Sequence, residues 1–192
     1  MAFLRIAQVG HPVLRAPTRA LSKEEIASER WQRFFDDLID TMHEANGAGL
    51  AANQVYESVR VCAIEVKPNN PRYPYKPAIP LTLLVNPTIT PLTDETFMNY
   101  EGCLSVPDMR GEVPRFAHIR VRYLDRTGQE IVVEQKGITA GTFQHEVDHL
   151  DGRVFLDRVT NPLSLTTWAN FDRFEKEAFA ARVKDIVAKH GS

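Results

Sequence analysis

The sequence predicts an α+β fold: antiparallel β-sheets packed around a central HExxH metal-binding helix, with an N-terminal and a C-terminal helix. Two observations predict it. Residues 59–136 read as short strands parted by Pro, Gly, Asn and Asp turns, with clean alternation near 118–123. The flanking segments place apolar residues at helical spacing, and the one near 138–150 holds His145-Glu146-Val147-Asp148-His149.

A chain of 192 residues suffices for one domain with a substantial core, and not comfortably for two. Hydrophobic residues make up 43% and charged ones 25%, an ordinary globular composition. A net charge of −2 supplies no basic field for phosphates, which argues against direct, sequence-specific nucleic-acid binding. Two scattered cysteines, Cys62 and Cys103, argue against a disulfide scaffold and fit a reducing compartment. No apolar run approaches the roughly 18–20 residues of a membrane helix. Residues 1–23 lack acids and carry Arg5, Arg15 and Arg19, as an organellar transit peptide would. Pro12 and Pro17 interrupt any amphipathic helix there, so a cytoplasmic location is the expectation and an organellar one the alternative.

Gly10, Pro12 and Pro17 make residues 1–22 an extended lead-in. Ser28 is a candidate N-cap, because Trp31, Phe34, Phe35, Leu38, Ile39 and Met42 follow on one broad apolar face. Asn46-Gly47 ends that core helix, glycine taking the left-handed conformation. Gly47-Ala48-Gly49-Leu50-Ala51-Ala52-Asn53-Gln54 is a run of small residues ending in an amide. Alone it reads first as a helix cap and tight turn, although small side chains also let backbone approach a ligand, and Gln54 brings an uncharged donor. Residues 59–66 form a strand in which Cys62 is a small buried hydrophobe. Residues 68–80 hold five of the twelve prolines and read as a stiff, extended loop of unassigned role. A short buried strand at 81–85 closes at Asn86-Pro87. Beyond Arg115, Ile119, Val121 and Tyr123 alternate with His118, Arg120 and Arg122; Asp125-Arg126-Thr127-Gly128 turns the chain and Ile131-Val132-Val133 returns it. Gly137 breaks this strand, and the metal helix runs from near Ile138 to Asp151-Gly152. Residues 165–189 are helical in pattern, with Trp168, Phe171, Phe174 and Phe179 as core or interface residues.

The chemistry starts from the helix motif. Histidines four apart share a helix face, about 5–6 Å apart at Cβ, so both imidazoles reach one ion. Glu146, one step round, can reach a water on that ion without occupying a ligand position, as a general base does. Catalytic zinc-type sites commonly use three protein ligands, and no Glu or His follows His149 at the spacing of the common metalloproteases. Cys103, in Glu101-Gly102-Cys103-Leu104-Ser105, is the best remaining candidate, although such a cysteine taken alone is more often a buried structural thiol.

Three stretches together, 47–54, 101–105 and Gln144-His145-Glu146-Val147-Asp148-His149-Leu150-Asp151-Gly152, resemble the signature motifs of peptide deformylases, in the family's order. The resemblance covers roughly residues 5–165 of a single domain spanning 1–192, with the C-terminal helix at about 165–190. It implies a metal-dependent hydrolase that removes the N-formyl group from the starting methionine of new polypeptides and releases formate. One divalent ion per chain is implied, iron(II) as the native metal with zinc as the other candidate, held by Cys103, His145 and His149. Glu146 carries over as general acid/base, and the Gln54 side chain and Leu104 backbone N–H as oxyanion donors. The resemblance also places the Gly49 backbone and Arg110 along the peptide, and Ile138, Gly141 and Thr142 around the methionine side chain. Glu101 and Arg115 match a pair that braces the cysteine loop. Gly141 and Thr142 depart from the bulkier apolar residues often found there. The implied partner is the nascent formyl-Met polypeptide, with ribosome association through the C-terminal helix by analogy.

Two other readings compete. A metallopeptidase or amidohydrolase of other specificity explains the helix motif but gives no reason for Cys103 or Gln54. A non-catalytic, metal-stabilised binding module calls for a closed set of four protein ligands, and the sequence offers three.

Overall fold

Ser22 and Glu25 form a reciprocal capping box that starts α1 (Lys23–Ala27), a short helix not anticipated from the apolar pattern. The structure, a computed structural model, describes residues 3–68 and 76–192; most of the proline-rich loop, residues 69–75, lies outside the described residues. Helix α2 (Glu29–Glu44) follows, with Trp31, Phe35, Leu38 and Met42 buried as expected. Ser28 holds the N-cap position, but its hydroxyl donates to Glu25 O. Asn46 rather than Gly47 takes the left-handed conformation at the helix end, with φ +51°, which asparagine tolerates.

Two antiparallel sheets follow. The larger has the order β1 (Gly49–Ala51), β2 (Val61–Val66), β3 (Ile79–Pro91), β6 (His118–Leu124), β7 (Glu130–Lys136). The smaller has the order β4 (Thr96–Cys103), β5 (Val106–Phe116), β8 (Thr166–Thr167). Among the described residues, β1 and β4 are therefore both edge strands. The alternation anticipated for β6 is present: Ile119 and Val121 are buried, while Arg120 and Arg122 pair with Glu134 and Glu130 on β7.

Asn86-Pro87 bulges β3 instead of closing it. Asn86 is left-handed (φ +54°), and the register with β6 shifts between Val85 and Thr88. Its side chain accepts from Leu21 N (2.9 Å) and donates to Leu21 O (2.8 Å), so the irregular backbone is held by the lead-in.

Helix α3 (Gly137–Leu150) lies between the sheets, and every residue on it except His145 is buried. Ala140, Phe143 and Leu150 pack with Cys62, Ile64 and Ile119 of the larger sheet. Ile138 packs with Phe97 and Tyr100 of β4 and with Phe171 and Phe179 from the C-terminal region. The expected C-terminal helix is present from Trp168 to His190, but it is not uniformly α. After β8 come α4 (Trp168–Asn170), a π-helical stretch over Phe171–Glu175 and α5 (Lys176–His190). The wider π turn rotates the face, so Phe171 and Phe179 are buried while Phe174 stands 64% exposed. No described helix is long and apolar enough to cross a membrane.

Candidate metal centre

The i,i+4 spacing on α3 sets the rings of His145 and His149 5.0 Å apart, centroid to centroid. The β4–β5 turn delivers Cys103, whose Sγ lies 3.2 Å from His149 Nε2. Ligand atoms of all three residues fall within 4.8 Å of one another. The 3-10 turn after β1 (Ala52–Val55) supplies Gln54. Its Oε1 accepts from Ala51 N (2.8 Å), which fixes the amide's orientation, and its Nε2 donates to Ser105 Oγ (3.0 Å) and approaches Cys103 Sγ at 3.5 Å. Ser105 N also donates to that sulfur, at 3.3 Å.

These surroundings favour a thiolate. Burial would push the Cys103 thiol up, but the charge of His149 and hydrogen bonds from both histidines outweigh it and hold it well below the ordinary thiol range. Cys62, also fully buried, lacks such neighbours and is pushed up by burial instead. The set fits a metal ion. With M–S about 2.3 Å and M–N about 2.0–2.1 Å, tetrahedral ligand atoms lie roughly 3.3–3.6 Å apart, close to the Cys103–His149 separation. His145 Nδ1 is bonded to Glu101 Oε2 (2.7 Å), which leaves Nε2 to ligate. Thiolate with two imidazoles suits zinc and iron(II) alike.

Behind His145 runs a buried ionic chain. Arg115 donates from Nε to Glu101 Oε1 and from Nη2 to Oε2, both at 2.8 Å, and from Nη1 to Asp148 Oδ2 at 2.5 Å. Arg158 closes the far end on Asp148. Burial alone would raise Glu101, yet Arg115 and then His145 outweigh it and hold the carboxyl well below the usual range. Burial raises Glu146 against the two histidines, and its Oε2 is buried with no hydrogen-bond partner among the described residues.

Gly49, Gln54, Cys103, Leu104, Arg110, Gly141, Thr142, His145 and Glu146 line one cavity, together with Glu101. Ile138 is not on its wall. A Cβ at Gly141 would stand 3.2 Å from Phe97 Cζ and 3.3 Å from Asn99 Nδ2, so these β4 side chains take the room the glycine leaves. Thr142 Oγ1 accepts from Lys76 Nζ (3.3 Å). Arg110 is buried at the rear, donating to Tyr100 O (2.7 Å). Sequence reasoning missed Asp148, Ser105, Asn99 and Lys76. The first two sit inside the recognised motifs, where an acid between the histidines and a hydroxyl two residues after the cysteine were the available signals; Asn99 and Lys76 gave none.

At Gly49 the Glu146 side chain of α3 presses on β1: a Cβ there would fall 2.6 Å from Glu146 Cγ. Gly49→Ala is expected to displace that carboxylate and cut kcat/KM by about 10²-fold, with the circular dichroism spectrum retained. Wild-type kinetics in this variant would mean that Glu146 need not occupy the observed position.

A family profile described as Polypeptide deformylase matches residues 3–164. "Peptide deformylase 2" of Nostoc sp. is 43% identical over 164 residues, spanning 85% of this chain and 90% of the relative. "Peptide deformylase 1" of Bordetella pertussis is 42% identical over 155 residues, spanning 81% and 82%. Among solved structures, a class I type b peptide deformylase of Acinetobacter baumannii with Met-Ala-Ser bound superposes with TM-score 0.79 at 39% identity, covering 82% of this chain and 99% of that one.

Proposed function

The chain belongs to the polypeptide deformylase family, metal-dependent hydrolases that remove the N-formyl group from methionine peptides, and on that premise we propose how its own residues carry the reaction. The observation that carries the reading is the Cys103–His145–His149 cluster, buried but for the half-buried His145, with Glu146, whose Oε2 has no hydrogen-bond partner among the described residues, on the same cavity wall as Cys103 and His145.

Cys103, His145 and His149 would hold one divalent ion, iron(II) as the native metal and zinc as the alternative. When bound, such an ion would lower the pKa of water to about 7 and polarise a carbonyl. Glu146 Oε2 takes the proton of the water that adds to the formyl carbon. Its raised pKa lets it keep that proton until the C–N bond breaks, when it passes to the departing amine, leaving formate and a free N-terminus. Gln54 Nε2 and the Leu104 backbone N–H donate to the formyl oxygen as charge builds on it. The Glu101–Arg115 pair fixes the His145 ring.

The edge strands β1 and β4 border the cavity, through Gly49 on one side and Gly102 on the other. An extended peptide can add to such edges by main-chain hydrogen bonds, and the Acinetobacter relative is a complex with the peptide Met-Ala-Ser. The methionine side chain then meets Gly141 and Thr142 at the cavity wall, with Ile138 supporting them from the core and Arg110 at the rear. A single domain over 1–192, a cytoplasmic location, and ribosome contact through the outer face of α5 extend the same reading.

Formate release from formyl-Met-Ala-Ser tests it. Gln54→Ala is expected to lower kcat by about 10²–10³-fold with metal retained. An unchanged kcat would remove Gln54 from the oxyanion site.

A further inference from the structure

The family match ends at residue 164, and the chain beyond it returns to the site. β8 pairs Thr166 with Arg110 and Thr167 with Met109. The next residue, Trp168, lies over the edge strand that borders the cavity: a Cβ on Gly102 would stand 3.2 Å from its Cζ2. The Arg110 guanidinium is stacked beneath, 4.4 Å from the Trp168 ring centroid and 3.8 Å from that of Phe171. Phe171 is fully buried, whereas Trp168 is only half-buried. Gly102 and Arg110 both line the catalytic cavity.

We propose that Trp168 is a specificity-determining residue: its indole forms the wall against which the residues after methionine in an extended formyl peptide lie as they leave the cavity along the β4 edge. The inference rests on the deformylase reading and on the edge-strand path given above. Gly102 has no side chain of its own, so the face presented to a peptide at that point is the indole's. An aromatic face accepts apolar side chains and backbone of many sequences, and the arginine stack holds it in place. Longer formyl peptides therefore gain contact that formyl-Met amide cannot reach.

The test compares formyl-Met amide with formyl-Met-Ala-Ser in the wild type, Trp168→Ala and Trp168→Phe. In Trp168→Ala the KM for the tripeptide is expected to rise about 10-fold with kcat within about twofold, while the KM for the amide moves less than about twofold. Trp168→Phe restores most of the difference. Equal changes for both substrates, or none for either, would overturn the proposal. A second readout does not need turnover. The chain has two tryptophans, and Trp31 is buried in the α2 core, so subtracting the Trp168→Phe titration from the wild type isolates Trp168 fluorescence. Added Met-Ala-Ser is expected to shift it saturably. Turnover without that shift overturns the wall; a saturable shift without formate release overturns the deformylase reading and supports the wall.

Discussion

Replacing Glu146 with glutamine is expected to lower kcat for formate release by about 10²–10⁴-fold, with KM and bound metal little changed. Glutamine keeps the side-chain volume packed on Gly49 and offers no carboxylate to take a proton. The carboxylate does not sit among the metal-ligand atoms, which are those of Cys103, His145 and His149. Burial raises its pKa, and among the described residues no group bonds its Oε2. Metal analysis beside steady-state kinetics separates the cases: loss of activity in proportion to lost metal would recast Glu146 as a support for the centre.

Arg115→Met is expected to produce the largest loss of stability, about 3–5 kcal/mol, because it leaves Glu101 and Asp148 as buried carboxylates without their shared partner. For a chain of this size, that corresponds to a fall in Tm of roughly 6–20 °C. Metal affinity should weaken about 10–100-fold as well, since Glu101 loses the group that keeps it ionised against His145. The pH dependence has a definite sign. Glu101 and Asp148 are held below the usual carboxylate range in the folded protein, so their contribution is present at neutral pH and is lost as pH falls through and below that range. The variant should therefore show a flatter stability profile on the acid side. Thermal unfolding of metal-free protein at neutral and acidic pH checks this; a Tm within a degree or two of wild type would mean that the ion pairs contribute nothing net.

The parts of the fold legible in the sequence are those where one face decides the structure. Trp31, Phe35, Leu38 and Met42 fix α2, and Ile119 with Val121 fixes β6, because burial of a periodic face outweighs local preference. Asn86-Pro87 has the composition of a strand end, but the Asn86 bonds to Leu21, 65 residues away, keep the strand going past it. The C-terminal aromatics have helical spacing, and only the extra residue of a π turn turns Phe174 outward. In the site, the two histidines follow from spacing alone, whereas Cys103 needed the missing third ligand to mark it. Asp148 stands inside the histidine motif, but its pairing with Arg115 and Arg158 is tertiary, and Asn99 and Lys76 leave no local trace. Arg110 reaches the cavity from beneath Trp168, a placement set by pairing between β5 and β8 that no linear pattern encodes.

The most direct test of the account is formate release from formyl-Met-Ala-Ser by anaerobically purified protein whose metal content is measured in the same sample. The account predicts one divalent ion per chain, formate release that rises in proportion to occupancy as metal-free protein is reloaded with iron(II), and no release from metal-loaded Glu146→Gln above about a hundredth of wild type. One bound ion per chain with no formate from the wild type would contradict it.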